Sequence, residues 1–226
     1  MTDTQLETQD VAALWLATQQ AIAGRTAHEI KNTLNGVAVN LEVVRSRLGR
    51  APATATSATF AETASQQFEV LTRQTEALLA LVRPVRVPAD VAELTAQLAA
   101  LLTAAAERDG ARLVVEVSEG GAATAVDGAV VRLVVASALL AAIEAVAPSR
   151  AVAAGSGDDA PEVRCQVLVD EHGPRFTVRK GGAAAVALPA EVARVAADAG
   201  VRVAVEGGLT LSFPPTPRGD DLTLGS

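Results

Sequence analysis

The sequence of 226 residues has few aromatic side chains, one cysteine and two histidines. It contains four phenylalanines, one tryptophan and no tyrosine, whereas hydrophobic residues make up 50% of it. We therefore expect an aliphatic core, large enough for the chain to fold unaided. The lone Cys165 excludes an internal disulfide, and its place in a strand-like run predicts a small core residue.

Lysine is also scarce and occurs only at Lys31 and Lys180, so almost all positive charges are arginines. The net charge of -7 disfavours a nucleic-acid partner, which would require a basic face. No basic segment followed by an apolar one opens the chain, and the longest apolar run, residues 133–143, is far shorter than the ~20 residues of a membrane span. We therefore expect a soluble, cytoplasmic protein without a membrane segment.

Two long amphipathic helices are predicted in the first third of the chain. Apolar residues of the first helix recur in a heptad pattern at Ile30, Leu34, Val37, Leu41, Val44 and Leu48. After an interruption at residues 49–57, the pattern resumes at Phe68, Leu71, Thr75, Leu78 and Val82. We predict an antiparallel helical hairpin over residues 1–83. Because two helices leave one side of these seams uncovered, we also predict a homodimer with a four-helix bundle.

Proline at positions 84 and 88 marks a linker over residues 84–89. From residue 90 onward the patterns follow the order helix, strand, helix, two strands, helix, two strands. Turn signals separate the paired strands at residues 171–174, which include His172, and at 207–208, and residues 151–160 are predicted to form a loop. This order predicts a two-layer α/β sandwich over residues 90–214 and a flexible tail over 215–226. The fold class is thus α+β.

His28 lies within the first predicted helix and is the candidate reactive group. Neutral imidazole is nucleophilic near pH 7, so a phosphoryl group can be transferred to it. The heptad register places His28 away from the apolar seam, on an outer face that we expect to point into solvent. The same face carries Arg25, Asn32, Asn35, Val39 and Glu42. Asn32, one helical turn from His28, can orient a water or a phosphoryl oxygen, and Val39 offers an apolar contact to a partner.

Residues 28–34, with the sequence His-Glu-Ile-Lys-Asn-Thr-Leu, resemble the phosphoacceptor box of bacterial sensor histidine kinases. In that family a dimerising helical hairpin is followed by an ATP-binding α/β sandwich. The resemblance implies that His28 is the phosphoacceptor and that Glu29 is its hydrogen-bond partner or base. Lys31 and Arg25 either offset the phosphate charge or are ordinary solvated residues.

The nucleotide-binding residues of these kinases are not matched. Ser137 and Ala141 stand where the family has asparagines, and Ala141 has no oxygen to offer Mg²⁺. Lys180 stands where the family has an adenine-binding aspartate, and only residues 183–188 replace the ATP lid. The combination of an intact acceptor helix and a degenerate ATP-binding domain resembles the histidine phosphotransferases of sporulation and cell-cycle phosphorelays.

That resemblance implies that His28 relays a phosphoryl group between the aspartates of response-regulator receiver domains, one of which can belong to a hybrid kinase. We expect the chain itself to bind no cofactor or metal, with Mg²⁺ supplied by the receiver. Two alternatives remain open. One is a receiver phosphatase that uses Glu29 and Asn32, and the other is a non-catalytic dimeric scaffold that binds receivers or kinases. We expect ATP-dependent autophosphorylation to fail.

Overall fold

The computed structural model describes residues 3–48, 55–83, 88–118, 121–146, 161–181 and 185–216. The helices are α1 (Asp3–Leu48), α2 (Ala55–Val82), α3 (Val91–Arg108), α4 (Gly128–Val146) and α5 (Ala190–Asp198). The strands are β1 (Ala89–Asp90), β2 (Arg112–Val117), β3 (Ala123–Thr124), β4 (Glu162–Asp170), β5 (Gly173–Lys180), β6 (Arg202–Val205) and β7 (Leu209–Ser212). A helical N-terminal part and a following α/β part confirm the predicted fold class.

The first two helices form an antiparallel hairpin. Near the loop end, Asn40 of α1 donates a hydrogen bond to Gln67 of α2 at 3.0 Å. Gly36 lies under the same side chain, because a Cβ atom there would be 2.8 Å from Gln67 Nε2. At the opposite end, the start of α1 and the end of α2 both contact one arginine of α4. Small and polar side chains therefore set the close approach of the two helices.

Only part of the predicted heptad seam lies inside this hairpin. Ile30, Val37 and Val44 are half-buried. Leu34 and Leu41, by contrast, are 48% and 53% exposed. At about 100° per residue, these two leucines lie roughly a quarter turn round α1 from the contact with α2. A single chain thus leaves an apolar face on the hairpin, formed by Leu34, Leu41, Phe68, Leu79 and Val82.

The C-terminal part is a two-layer sandwich, as predicted. Its five-stranded sheet has the order β2-β4-β5-β7-β6, in which β2 and β4 are parallel and the other neighbours are antiparallel. Along β4 the buried side chains of Val163, Cys165 and Val167 alternate with outward residues, because successive side chains point to opposite faces of a sheet. Cys165 is a core residue, and burial raises the pKa of its thiol to about 12.

Two boundaries of the sandwich differ from the predicted ones. β1 pairs with β3 through Ala89 and Thr124, so the sandwich starts inside the predicted linker. At the other end, Pro215 forms a bridge to Thr124, whose hydroxyl donates to the Pro214 carbonyl at 2.6 Å. The sandwich therefore extends into the predicted tail by at least one residue. The predicted loop at 151–160 and residues 217–226 lie outside the described residues.

Helix α4 is the central helix of the sandwich. By length and composition it is apolar enough to cross a membrane, but 72% of it is buried inside the fold. Its residues Leu133, Leu139 and Ile143 are fully buried. The extreme apolarity of α4 is therefore explained by its position between the sheet and the hairpin.

Arg132 of α4 joins the sandwich to the hairpin. Its guanidinium donates to the carbonyl of Leu81 in the last turn of α2 at 2.7 Å and to that of Arg83, just after this helix, at 2.8 Å. The same group lies 5.3 Å from the centre of the Trp15 ring on α1, a distance at which a cation and an aromatic face attract each other. Burial lowers the pKa of Arg132, yet arginine stays protonated in proteins. One cation thus contacts both helices of the hairpin.

We predict that Arg132→Met lowers the free energy of unfolding by about 2 kcal/mol, because two carbonyls at the end of α2 lose their donor in a buried site. Urea denaturation followed by circular dichroism measures the change. Arg112→Met is the matched control, because Arg112 is exposed and bonds to Glu162 within the sheet. An equal effect of the two substitutions would contradict the role given to Arg132.

Candidate functional site

His28 lies on the outside of α1, within an uninterrupted stretch of helix. Its side chain is exposed, as are those of Asn32, Asn35 and Glu42 along the same side. Val39 on this side is 63% exposed, although it is apolar. We call these five residues the His28 strip. Their predicted exposure is confirmed, and Lys31, also exposed, lies beside them.

The prediction that Arg25 points into solvent with this strip is wrong. Its side chain is only 22% exposed, and its two terminal nitrogens each donate a hydrogen bond of 2.9 Å, one to Asp109 and one to Glu144. Asp109 follows the end of α3, and Glu144 lies in the last turn of α4. Arg25 therefore ties α1 to the ends of two sandwich helices, and its charge is already engaged within the chain.

Glu29, the residue after His28, also points toward the sandwich. Its side chain is 13% exposed, and its carboxylate accepts a hydrogen bond from Arg108 Nη1 at 2.5 Å. Arg108 Nε in turn donates to Asp109 at 3.3 Å. Consecutive residues of a helix lie about 100° apart, so His28 and Glu29 leave α1 in different directions. The acidic neighbour of the histidine is held at the domain contact.

The charged residues at this contact form one connected set, which we call the interdomain network. Its five members are Arg25, Glu29, Arg108, Asp109 and Glu144. Two guanidinium groups balance two of the three carboxylates, and Glu144 is the most exposed member. Partly buried pairs are screened by salt less than surface pairs, so the network can hold α1 in one orientation on the sandwich. That orientation leaves the imidazole outside.

Three of the residues that the sequence resemblance aligns with the nucleotide site of the kinases have structural roles within the sandwich. Lys180 Nζ donates to the Ala145 carbonyl at 2.5 Å, near the end of α4, where a cation also complements the helix dipole. Ser137 is buried within α4. Val186, in the short segment before α5, is 1% exposed and belongs to the core. These side chains stabilise the sandwich itself.

The second histidine has none of these surroundings. His172 lies in the tight turn between β4 and β5, where its backbone N–H donates to Asp170 at 2.8 Å. Its side chain is exposed beside Glu171. The turn interpretation of this segment is confirmed, and His28 remains the candidate reactive residue.

Sequence reasoning missed Arg108, Asp109 and Arg132. A basic residue in the last turn of a helix is ordinarily explained by the helix dipole, so Arg108 carried no further signal. Arg132 lies in an almost wholly apolar helix, where a buried cation requires a partner. A charged arginine within this apolar sequence is the sign that α4 contacts polar groups outside the sandwich.

We predict that Arg25→Ala increases hydrogen exchange in the last turn of α3 and lowers the free energy of unfolding by about 1 kcal/mol, because two ion pairs across the domain contact are lost. Exchange detected by mass spectrometry measures the local effect. Arg45→Ala is the control on the same helix, since Arg45 is 80% exposed and pairs with Glu42 one turn away. Similar exchange in both variants would contradict the clamping role of Arg25.

Comparison with known proteins yields structural likeness alone, since no family model and no curated protein matches the sequence. The catalytic domain of the histidine kinase ThkA superposes with a TM-score of 0.42 at 14% identity, over 57% of this chain and 96% of that one. A bacterial phosphotransferase gives 0.45 at 10% identity, over 94% and 97%. The histidine kinase domain of a blue-light-activated kinase from Erythrobacter litoralis gives 0.37 at 15% identity, over 81% and 94%. At scores this low, the function is inferred from the chain's own residues.

Proposed function

We propose that the protein is a histidine phosphotransferase, which relays a phosphoryl group between the aspartates of response-regulator receiver domains through His28. The observation that carries the proposal is the exposure of His28 on an unbroken helix, in a strip that also presents an amide at Asn32 and an apolar side chain at Val39. A receiver can approach this side of α1 without displacing the sandwich.

The transfer needs a nucleophile and correct positioning. An unprotonated ring nitrogen of His28 attacks the phosphorus of the receiver's aspartyl phosphate, the bond from phosphorus to the aspartate oxygen breaks, and the carboxylate leaves with the electron pair. The second transfer reverses these steps on another receiver. Because the transition state is loose, charge compensation and alignment dominate the barrier. Asn32 donates to a phosphoryl oxygen, Lys31 adds positive charge, and Mg²⁺ held by the receiver neutralises the rest.

The relay accounts for the position of Glu29 better than the phosphatase alternative does. A phosphatase using Glu29 and Asn32 needs the Glu29 carboxylate beside the receiver's phosphorus. That carboxylate instead contacts Arg108 at the domain contact. The scaffold alternative makes no use of the imidazole, so an experiment that removes the His28 side chain distinguishes it from the relay.

We also propose that the protein acts as a homodimer through the apolar face of the hairpin. Leu34 and Leu41 on α1, and Phe68 on α2, each lie about a quarter turn from the contact between the two helices. Because α1 and α2 are antiparallel, these residues fall on the same side of the hairpin. The His28 strip lies on the other side. A second copy packed on the apolar face completes a four-helix bundle and leaves His28 accessible.

For the relay, we predict that a receiver labelled with ³²P on its aspartate transfers the label to the wild-type protein as an acid-labile, base-stable phosphohistidine. His28→Ala abolishes the label and His172→Ala does not. Asn32→Ala slows the transfer about tenfold, the loss of one hydrogen bond to a charged group. Absence of label from every receiver tested, with receiver binding intact, would favour the scaffold. Release of phosphate without a labelled protein would favour the phosphatase.

For the dimer, we predict that Leu41→Asp converts the protein to a monomer, because a carboxylate in the bundle core is left without a partner. Light scattering after gel filtration measures the mass. Val39→Asp is the matched control, two residues away on the His28 strip. It is expected to remain dimeric and to weaken receiver binding. A monomeric wild-type protein, or a dimeric Leu41→Asp variant, would overturn the assignment.

A further inference from the structure

We propose that Arg108 of the sandwich is a positioning residue that keeps Glu29 away from the phosphoryl group and so suppresses its hydrolysis. The inference rests on the proposed relay through His28. In this proposal, the sandwich determines whether the hairpin transfers the phosphoryl group or hydrolyses it. A bound phosphoryl group is passed on because the carboxylate that would activate water is held elsewhere.

The first support is the direction of Glu29. Its side chain is mostly buried, and its Oε1 atom lies 2.5 Å from Arg108 Nη1, across the contact between α1 and the end of α3. The neighbouring His28 is exposed. Glutamate is long enough to turn toward an adjacent residue, so the ion pair with Arg108 decides which way the carboxylate points.

The second support is that Arg108 is itself held in place. Its Nε donates to Oδ1 of Asp109, while Oδ2 of Asp109 accepts from Arg25. Arg25 is fixed from its other side by Glu144. Charge-assisted hydrogen bonds of this kind are stronger than neutral ones and have a preferred geometry. Contacts from α1, from the end of α3 and from α4 therefore together fix the orientation of the Arg108 guanidinium group.

The reaction being suppressed is hydrolysis of the receiver's aspartyl phosphate. A water oxygen forms a bond to phosphorus, the bond from phosphorus to the aspartate oxygen breaks, and the aspartate leaves as a carboxylate. The water's proton goes to the Glu29 carboxylate, and inorganic phosphate is released. A positioned general base contributes on the order of 100-fold or more to such a step. With its oxygen bonded to Arg108, Glu29 does not take that proton.

The test uses the full chain with a ³²P-labelled receiver and follows label on His28 and release of inorganic phosphate. Arg108→Ala is expected to leave labelling of His28 within about twofold and to raise phosphate release at least tenfold, since a freed base supplies about 100-fold. Arg108→Ala combined with Glu29→Gln is expected to return phosphate release to the wild-type rate. Arg108→Lys, which keeps a cation, is expected to lie near the wild type.

Arg194→Ala is the matched control. Arg194 of α5 pairs with Asp10 of α1 at 3.4 Å, so this variant removes another ion pair between α1 and the sandwich without touching Glu29. Phosphate release as high in Arg194→Ala as in Arg108→Ala would overturn the proposal, as would unchanged release in Arg108→Ala with His28 labelled normally. Absence of label on wild-type His28 overturns the relay itself. Arg108→Gln, which keeps a polar head on an alkyl stem, replaces the alanine variant if circular dichroism shows that the latter is unfolded.

Discussion

The cation of Arg132 is the interaction on which the arrangement of the two parts depends. It is buried in an apolar helix of the sandwich, and a buried charge persists only when its donors are satisfied. The acceptors are the carbonyls of Leu81 and Arg83, at and just after the end of α2, and the aromatic face is that of Trp15 on α1. Satisfying one guanidinium therefore sets where both helices of the hairpin lie on the sandwich.

Once this contact fixes α1, the direction in which each side chain leaves the helix determines whether it meets the sandwich or solvent. Arg25 and Glu29 fall on the side that meets the sandwich, where opposite charges from α3 and α4 engage them. His28 and Asn32 fall on the solvent side. Residues adjacent in sequence thus have opposite roles. The charges at the contact stabilise the docked arrangement, and the amide of Asn32 and the imidazole of His28 remain exposed.

The sequence predicted those features that depend on local periodicity. β4 (Glu162–Asp170) ends directly before the turn predicted at residues 171–174, and its side chains alternate between buried and outward positions. Asp90 caps α3 through hydrogen bonds to two backbone N–H groups, as residues of its type do at helix starts. The place of Arg25 was not predictable in this way, since a heptad register describes one helix and its seam. The contact that buries Arg25 is with residues at the ends of α3 and α4, 84 and 119 positions away.

In the proposed relay, the sandwich supports the hairpin through the packing of its own helices and strands. Lys180 bonds to the end of α4, the helix that carries Arg132, and Val186 belongs to the core of the sandwich. A firmly packed α4 in turn presents Glu144 to Arg25, and the end of α3 presents Arg108 to Glu29. In the proposed relay, these residues support the contacts that position Arg25 and Glu29 on the side of α1 that meets the sandwich. In that proposal, the sandwich affects the transfer through its contacts with α1 and does not contact the transferred phosphoryl group.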